Sequence, residues 1–370
     1  MGKKSTIKIN HTTIEKEEEQ AVKKVLRSKH LERGRITSAL ERQAEKKFGV
    51  KRAVAVSSGT GGLIAALASC GVGIKDEVVT TPFTFAATVN SIALLGAEPI
   101  YADINKESFN LNTNEINKKI TKRTKAILTV DLYGNPADYA KIRDIADKYN
   151  LFIIADSSQS IGALFNGAPV SNFSDLQILS FFGTKSLTSG EGGMVLTNNK
   201  RLADKVNLLI NHGQKRGETY NYLTVGWNFR PTDLQSALIA LQLKRLDSII
   251  IKRINNATYL NRALNDIFGL VTPKIEIDIK HVFSRYTIRV TEKFPLSRDG
   301  LKEYLIKRGV ETQISYPKTL NQYQHLTFGV KKGELPVAEE ISRQVLSLPI
   351  HQGLKRRDLN YLSKCFDQFR

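Results

Sequence analysis

The sequence predicts an α/β protein: a mostly parallel sheet between helices in a large domain, followed by a smaller α+β domain. Short apolar runs alternate with helical patterns from Ala53 to Ala155. Helical segments of this length between strands imply crossover connections and a sheet covered on both faces. After about Asp266 this alternation is replaced by a different order of strands and helices, and 370 residues suffice for two domains.

Two helices are predicted before the alternation begins, from about Ile14 to Ser28 and between Ser38 and Phe48, because apolar residues recur there at helical spacing. Strands then follow at regular intervals. The predicted strands are 53–57, 77–80, 99–102, 126–130, 151–155, 176–182 and 194–197. The predicted helices among them are 63–70, 85–95, 113–120, 139–149 and 201–210.

A long helix is predicted to begin at Pro231, since proline is favoured in the first helical turn. The chain after it favours strands at 285–290 and 311–314 and helices at 297–308, from Val337 and from Asp358. We therefore place a large domain at residues 1–245, whose amino-terminal segment could pack on the small domain. The linker helix and the small domain occupy residues 246–370.

Composition excludes several classes of function. The net charge of +19 would suit a polyanion, but lysine and arginine are spread through predicted helices without a basic tail, so we expect no nucleic-acid partner. An anionic small substrate stays compatible with that charge.

The two cysteines, Cys70 and Cys365, and six histidines show no metal-ligand spacing. No apolar run approaches the ~18 residues of a membrane span, and the amino terminus lacks a signal sequence, so a cytoplasmic location without membrane partners is expected.

Three loops that follow predicted strands carry polar or glycine residues: Ser57–Thr60, Ala155–Gln159 and the loop around Lys185. Ligands of parallel sheets bind beyond the carboxyl ends of the strands. Glycines before a helix suit a phosphate, an aspartate can pair with a ring nitrogen, and a lysine in a dry pocket can form a Schiff base. Each of the three loops also has a structural explanation: the residues of the first two can cap helices, and the lysine can lie at the surface. Together they fit pyridoxal phosphate.

The order of motifs then identifies a family. The chain contains AVAVSSGT, ADSSQSIGA, SFFGTKSLTSGEGGM, NHGQKR and GWNFRPTDLQSAL in this order. With these motifs it resembles the DegT/DnrJ/StrS sugar aminotransferases, and the resemblance covers nearly the whole chain. It implies the aspartate aminotransferase-like fold, fold type I of the enzymes that use pyridoxal phosphate.

The resemblance also implies roles for single residues. Lys185 would form the Schiff base with the cofactor and then carry protons as general base and acid. Asp156 would pair with the pyridinium nitrogen, and Gln159 would lie near the ring hydroxyl. Phe85 stands where the family places an aromatic side chain against the ring, although a place in the helix core is the alternative.

Phosphate binding follows from the same resemblance. Gly59, Thr60 and Ser180 match the phosphate-binding positions. Asn228, in GWNFR, matches an asparagine that reaches the phosphate of the neighbouring subunit's cofactor. A homodimer with shared active sites is therefore expected.

The expected reaction is transfer of an amino group from an amino acid, with glutamate the expected donor, to a nucleotide-linked keto-sugar in amino-sugar and polysaccharide biosynthesis. Lys185 favours amino transfer, because related dehydratases have histidine there. LTSGEGGM resembles the members that aminate carbon 4 more than those that aminate carbon 3. Amination at carbon 3, or a non-enzymatic regulatory or polyanion-binding role on the same fold, is the alternative. Asp131 and Ser186 depart from the family pattern, as does the segment 316–321, which leaves the sugar open.

Overall fold

The computed structural model describes residues 6–218 and 220–370. The described residues form twelve α-helices and thirteen β-strands. The helices are α1 Lys16–Ser28, α2 Arg35–Phe48, α3 Gly59–Ser69, α4 Ala86–Ala93, α5 Thr113–Lys119, α6 Tyr139–Tyr149, α7 Lys200–Leu209, α8 Asp233–Lys244, α9 Leu246–Leu264, α10 Arg298–Lys307, α11 Pro336–Gln344 and α12 Arg356–Lys364. The strands are β1 Arg52–Val56, β2 Glu77–Thr80, β3 Glu98–Tyr101, β4 Thr124–Val130, β5 Phe152–Asp156, β6 Leu164–Phe165, β7 Ala168–Pro169, β8 Leu176–Ser180, β9 Gly193–Thr197, β10 Leu270–Val271, β11 Ile279–Lys280, β12 Tyr286–Val290 and β13 Val345–Leu348.

Seven strands form the main sheet in the order β1-β9-β8-β5-β4-β2-β3. The neighbours β3, β2, β4, β5 and β8 run parallel, as the alternation with helices predicts. Strand β9 is antiparallel to both β8 and β1, because the chain folds back through residues 181–192 without a crossover helix. The predicted α/β fold with a mostly parallel sheet is confirmed.

Helices cover both faces of this sheet, and alternate residues of each strand enter different cores. On one face, side chains such as Val54 and Ile178 pack with α3 and α7. On the other face, Ala55 and Leu179 pack with α2, α8 and the start of α9. Both faces of the sheet are therefore buried, in agreement with the continuous apolar sequence of its strands.

The predicted long helix is interrupted at Arg245, between α8 and α9, and α9 leads into a second core around the three-stranded sheet β10-β12-β13. Ile7 belongs to this second core and pairs with Val310 as an isolated bridge. The division of the chain at residue 245 stays a prediction.

One prediction in the carboxyl-terminal part was wrong, and one strand there was not predicted. Residues 311–314 do not form a strand; Gln313 makes only an isolated bridge with Ser347. That bridge partner lies in β13, a strand that the sequence pattern did not indicate because it directly follows α11. Among the described helices, none is both long enough and apolar enough to cross a membrane.

Candidate active site

A cavity of about 620 Å³ lies where β1, β5 and β8 end. These three strands run in the same direction, so their carboxyl ends meet at one edge of the sheet. Most of the residues that the sequence indicated line this one cavity. They are Gly59, Thr60, Phe85, Asp156, Gln159, Ser180 and Lys185.

The cavity contains an anion cradle where α3 begins. Ser58 caps this helix by accepting a hydrogen bond from the Gly61 N–H at 3.0 Å. The N–H groups of Gly59 and Thr60, in the same first turn, have no acceptor within the helix. A helix amino terminus also carries partial positive charge, so this turn is suited to a phosphate.

Glycine at position 59 leaves room in the cradle that a side chain would crowd. A Cβ atom at position 59 would lie 3.1 Å from Cβ of Ser180 and 3.3 Å from Oγ of Ser158. The predicted helix 63–70 therefore begins earlier, at Gly59, and the end of the predicted loop Ser57–Thr60 belongs to the first turn of α3. Gly59 borders the cradle, whereas Gly61 and Gly62 allow close packing against Phe229 and the sheet.

Asp156 ends β5 with its carboxylate buried beside the cavity. Thr88 donates its hydroxyl to one carboxylate oxygen at 2.9 Å, and the Ser158 N–H donates to the other at 3.2 Å. No lysine or arginine of the described chain forms an ion pair with this carboxylate. A carboxylate that is buried with only neutral donors is well suited to pair with a positively charged N–H group of a ligand.

Lys185 is held by a rigid loop between β8 and β9. The Lys185 N–H donates to the Phe182 carbonyl at 2.9 Å. Further along the loop, the backbone of Thr188 exchanges two hydrogen bonds of 2.8 Å with the side-chain amide of Gln242 on α8. The lysine is therefore presented from a fixed backbone.

The Lys185 amine has a perturbed pKa. Burial lowers the pKa from 10.5 to about 8, the charge of Asp156 opposes this change, and the charge of Arg285 reinforces it. A lysine with this pKa is a neutral nucleophile in a useful fraction near neutral pH. The surface-lysine alternative does not fit a partly buried side chain that lines the cavity.

Gln159 connects two walls of the cavity. Its Oε1 accepts from the Tyr133 N–H at 3.1 Å, and its Nε2 donates to the Tyr316 hydroxyl at 3.3 Å. Burial raises the pKa of Tyr316 to about 12, so its hydroxyl stays protonated. These contacts bring the carboxyl-terminal part of the chain to the cavity.

Phe85 precedes α4 and is 63% exposed although it lines the cavity. Phe182, which lines the opposite loop, is 46% exposed. Phe85 is therefore not a residue of the helix core. An exposed aromatic ring at a cavity is available to contact a flat ligand.

Asn228 is the one predicted site residue that does not line the cavity. It is exposed and forms a backbone bridge with Asn211, while the rings of its neighbours Trp227 and Phe229 stack on each other. Its position is compatible with a role toward a second subunit, which stays a prediction.

Sequence reasoning missed three residues at or below the cavity. Thr88 bonds Asp156, and the only signal for it was its position three residues after Phe85. Arg285 lines the cavity but was read only as the start of a strand. Asp131 was noted as a departure from the family pattern; it is fully buried below the cavity and accepts hydrogen bonds from Ser157 and Ser160.

These residues fit pyridoxal phosphate. The cradle at Gly59 would receive the phosphate, the buried carboxylate of Asp156 would receive the protonated ring nitrogen, and the Lys185 amine would attach the aldehyde carbon. The cradle is specific evidence, because a Cβ at position 59 would lie 3.1 Å from Ser180 and 3.3 Å from Ser158 beside it. Among the described residues, the acidic group Glu15, Glu17 and Glu18 is the one set arranged closely enough to hold a metal ion, and none of the three lines this cavity.

The chain is similar to known proteins over most of its length. Residues 12–367 match the model of the DegT/DnrJ/EryC1/StrS aminotransferase family. A GDP-perosamine synthase of Caulobacter vibrioides is 34% identical over 90% of each chain. A UDP-2-acetamido-2-deoxy-3-oxo-D-glucuronate aminotransferase of Pseudomonas aeruginosa is 34% identical over 94% of each chain. The crystal structure of DesV from S. venezuelae has a TM-score of 0.91 and 31% identity, covering 95% of this chain and 94% of that one.

Proposed function

Because the chain belongs to the DegT/DnrJ/EryC1/StrS aminotransferase family, whose members are enzymes that use pyridoxal phosphate, we propose that it moves an amino group from glutamate to a nucleotide-linked keto-sugar. The observation that carries the proposal is the meeting of Lys185, Asp156 and the Gly59 cradle in one cavity. Family membership sets aside the non-enzymatic alternative.

Each residue has a proposed task. When bound, pyridoxal phosphate supplies the electron sink for amino transfer. Asp156 would keep a proton on the ring nitrogen, because its buried carboxylate accepts hydrogen bonds only from the neutral groups of Thr88 and Ser158 within the described chain. The first turn of α3 and Ser180 bind the phosphate. Lys185 would attach the cofactor and, once released from it, would carry the proton between the nitrogen-bearing carbon of the substrate and the cofactor, for which an amine with a pKa of about 8 is well matched.

We propose carbon 4 as the position that is aminated. The support is the LTSGEGGM segment, Leu187–Met194, which forms the end of the lysine loop and the start of β9. The comparisons leave the position undecided, because the perosamine synthase, a relative of the carbon 4 type, and the 3-oxo-sugar enzyme are equally similar.

A substrate panel tests the reaction. The purified protein should be yellow and lose its visible absorption on borohydride treatment. With glutamate it should release 2-oxoglutarate on addition of one of the UDP-, GDP- or dTDP-linked 3-keto and 4-keto sugars. Lys185→Ala should fold normally and show no turnover, whereas the exposed Lys200→Ala should match the wild type. Turnover of 3-keto sugars alone would contradict carbon 4, and a protein that never binds the cofactor would contradict the function.

We further propose that the active form is a homodimer with shared sites. Asn228 lies outside the cavity of its own chain, in an exposed segment that includes the apolar side chains of Tyr222, Leu223 and Val225. Phe85 and Phe182 are exposed at the cavity. Exposed apolar groups on both surfaces suit an interface between two copies.

Mixed dimers test this arrangement. Lys185→Ala and Asn228→Ala subunits are each expected to be impaired alone. If sites are shared, a mixed dimer has one intact site, so co-expression of both variants in equal amounts should restore about a quarter of wild-type activity, given random pairing of subunits. As a control, Lys185→Ala and Asp156→Ala subunits are co-expressed. Both residues line the cavity of the same subunit, so every site in a mixed dimer lacks one of them and no activity should return. Full activity in a monomer would contradict the proposal.

A further inference from the structure

Arg285 is a half-buried arginine that the reaction scheme above does not use. It lies immediately before β12 and lines the same cavity as Lys185 and Asp156. Its backbone N–H donates to the Tyr133 carbonyl at 3.3 Å, which fixes the start of its side chain at the cavity wall.

The Arg285 guanidinium has no carboxylate partner within the described part of the chain. Its Nη1 donates to the neutral Gln313 side chain at 2.5 Å, and no ion pair includes it. By contrast, Arg289, four residues further along β12, lies 3.6 Å from a Glu340 carboxylate oxygen. Arg285 thus lines the cavity without a carboxylate to neutralise its charge.

The surrounding charges make this part of the cavity attractive to an anion. Arg253 lies behind Arg285, buried, with its Nη1 donating to the carbonyls of Phe283 and Ser284. The Arg285 charge lowers the pKa of both Lys185 and Arg253, which shows that the three cations act on one another. The carboxylates that line the cavity are Asp156, which is engaged by Thr88 and Ser158, and Glu191.

We propose that Arg285 binds a carboxylate carried by one of the two reactants. The planar guanidinium offers two parallel N–H groups that match a carboxylate, and the uncompensated charges around it favour an anion. The cofactor phosphate has a separate cradle on α3. The carboxylate belongs either to the amino donor or to a sugar acid. This inference rests on the proposed amino transfer.

Direct binding tests the inference without turnover. Glutarate, a dicarboxylate without an amino group, is titrated calorimetrically into the cofactor-loaded wild type and variants. Loss of a charge-assisted pair should weaken glutarate binding by about 10- to 100-fold in Arg285→Gln, with a smaller loss in Arg285→Lys. Arg201→Gln, which removes the same charge from an exposed position, should bind glutarate as the wild type does. Unchanged binding in Arg285→Gln, with unchanged thermal unfolding, overturns the proposal.

Steady-state kinetics then separate the two sources of the carboxylate. A raised KM for glutamate alone assigns Arg285 to the amino donor. A raised KM for a keto-sugar acid, with an unchanged KM for the matching neutral keto-sugar, assigns it to the sugar. A loss confined to cofactor retention overturns both. If the wild type aminates no keto-sugar, the proposed function fails while the glutarate comparison still tests Arg285.

Chemical labelling of Lys185 shows whether the variant keeps its local geometry. Removal of the Arg285 charge should raise the apparent pKa of the Lys185 amine in the cofactor-free protein, since that charge lowers it in the wild type. The pKa is measured from the pH dependence of Lys185 acylation. A Lys185 pKa that is lower in Arg285→Gln than in the wild type contradicts this geometry. If Arg285→Gln unfolds, Arg285→Lys decides: glutarate binding equal to that of the wild type contradicts the proposal.

Discussion

Replacement of Asp131 by alanine should destabilise the protein strongly. Asp131 is fully buried, and its carboxylate accepts four hydrogen bonds. The donors are the Ala137 N–H at 3.0 Å and the hydroxyls of Tyr139 at 2.8 Å, Ser157 at 2.5 Å and Ser160 at 2.9 Å. Two of these donors belong to the loop that carries Asp156 and Gln159, so the carboxylate holds that loop from below.

The magnitude follows from which donors keep a partner. Tyr139 retains its contact with Thr129, whereas Ser157 still accepts a hydrogen bond from Gln177 but loses the acceptor of its own hydroxyl proton. The Ala137 N–H loses its acceptor, and the Ser160 hydroxyl is left with a weak contact of 3.5 Å to a carbonyl. Removing one partner from a buried charged network costs about 3–5 kcal/mol, and we expect Asp131→Ala to lose stability in this range.

Urea unfolding followed by circular dichroism at pH 7 measures this loss. The control is Asp147→Ala, because the Asp147 side chain is 67% exposed and pairs only with Arg143 on α6. The control should change the unfolding free energy by less than about 0.5 kcal/mol. A loss below about 1 kcal/mol for Asp131→Ala would refute the argument that this carboxylate organises the loop.

The pH dependence of the same residue gives a second check. Burial raises the pKa of Asp131 above its ordinary 3.8. Between 3.8 and the raised value, the folded protein holds a proton that the unfolded chain releases, so this contribution to stability is lost as pH rises through the window. The stability of the wild type relative to Asp131→Asn should therefore be greater at pH 4 than at pH 7. An unchanged difference would mean that the Asp131 pKa is not raised.

Three further predictions concern the cavity. Gly59→Ala should weaken cofactor binding by about tenfold, since its Cβ would crowd Ser180, as measured by absorbance titration with pyridoxal phosphate. Thr88→Val, which removes a donor to Asp156, should weaken cofactor binding by about fivefold, whereas Thr113→Val, at the partly buried start of α5 outside the cavity, should not. Acylation of Lys185 in the cofactor-free protein, mapped by peptide mass, should rise with an apparent pKa of about 8, and a pKa near 10.5 would contradict its burial.

The sheet and the place of the site could be predicted because both follow from local periodicity and one topological rule. Alternation of apolar runs and helices gives parallel strands, and parallel strands place their following loops at one edge. The antiparallel turn of β9 could not be predicted in this way. The twelve residues 181–192 connect β8 to β9 without a helix, and their fold depends on Gln242, far away in the sequence.

The glycines at the start of α3 show why local propensity fails at a site. Glycine is about 1 kcal/mol less favourable than alanine in a helix, so the pattern favoured a loop. Packing decides otherwise: a Cβ at Gly61 would lie 3.0 Å from the Phe229 ring, and one at Gly62 would lie 3.3 Å from side chains of the sheet. The close approach of α3 to the sheet brings its first turn to the cavity, where the turn is suited to bind an anion.

Asp131 and Arg285 show the limit of reading a site from a family resemblance. Both are charged residues whose partners lie elsewhere in the chain: Asp131 bonds Ser157 and Ser160, and Arg285 bonds Gln313. The sequence alone shows two charged residues near strands, and both side chains could equally well be exposed to solvent. Burial separates them, because a fully buried carboxylate with four donors has an internal role, whereas a guanidinium at a cavity without a carboxylate partner remains free to bind a ligand. Positions of the second kind are where this chain can set its own substrate preference on a shared fold.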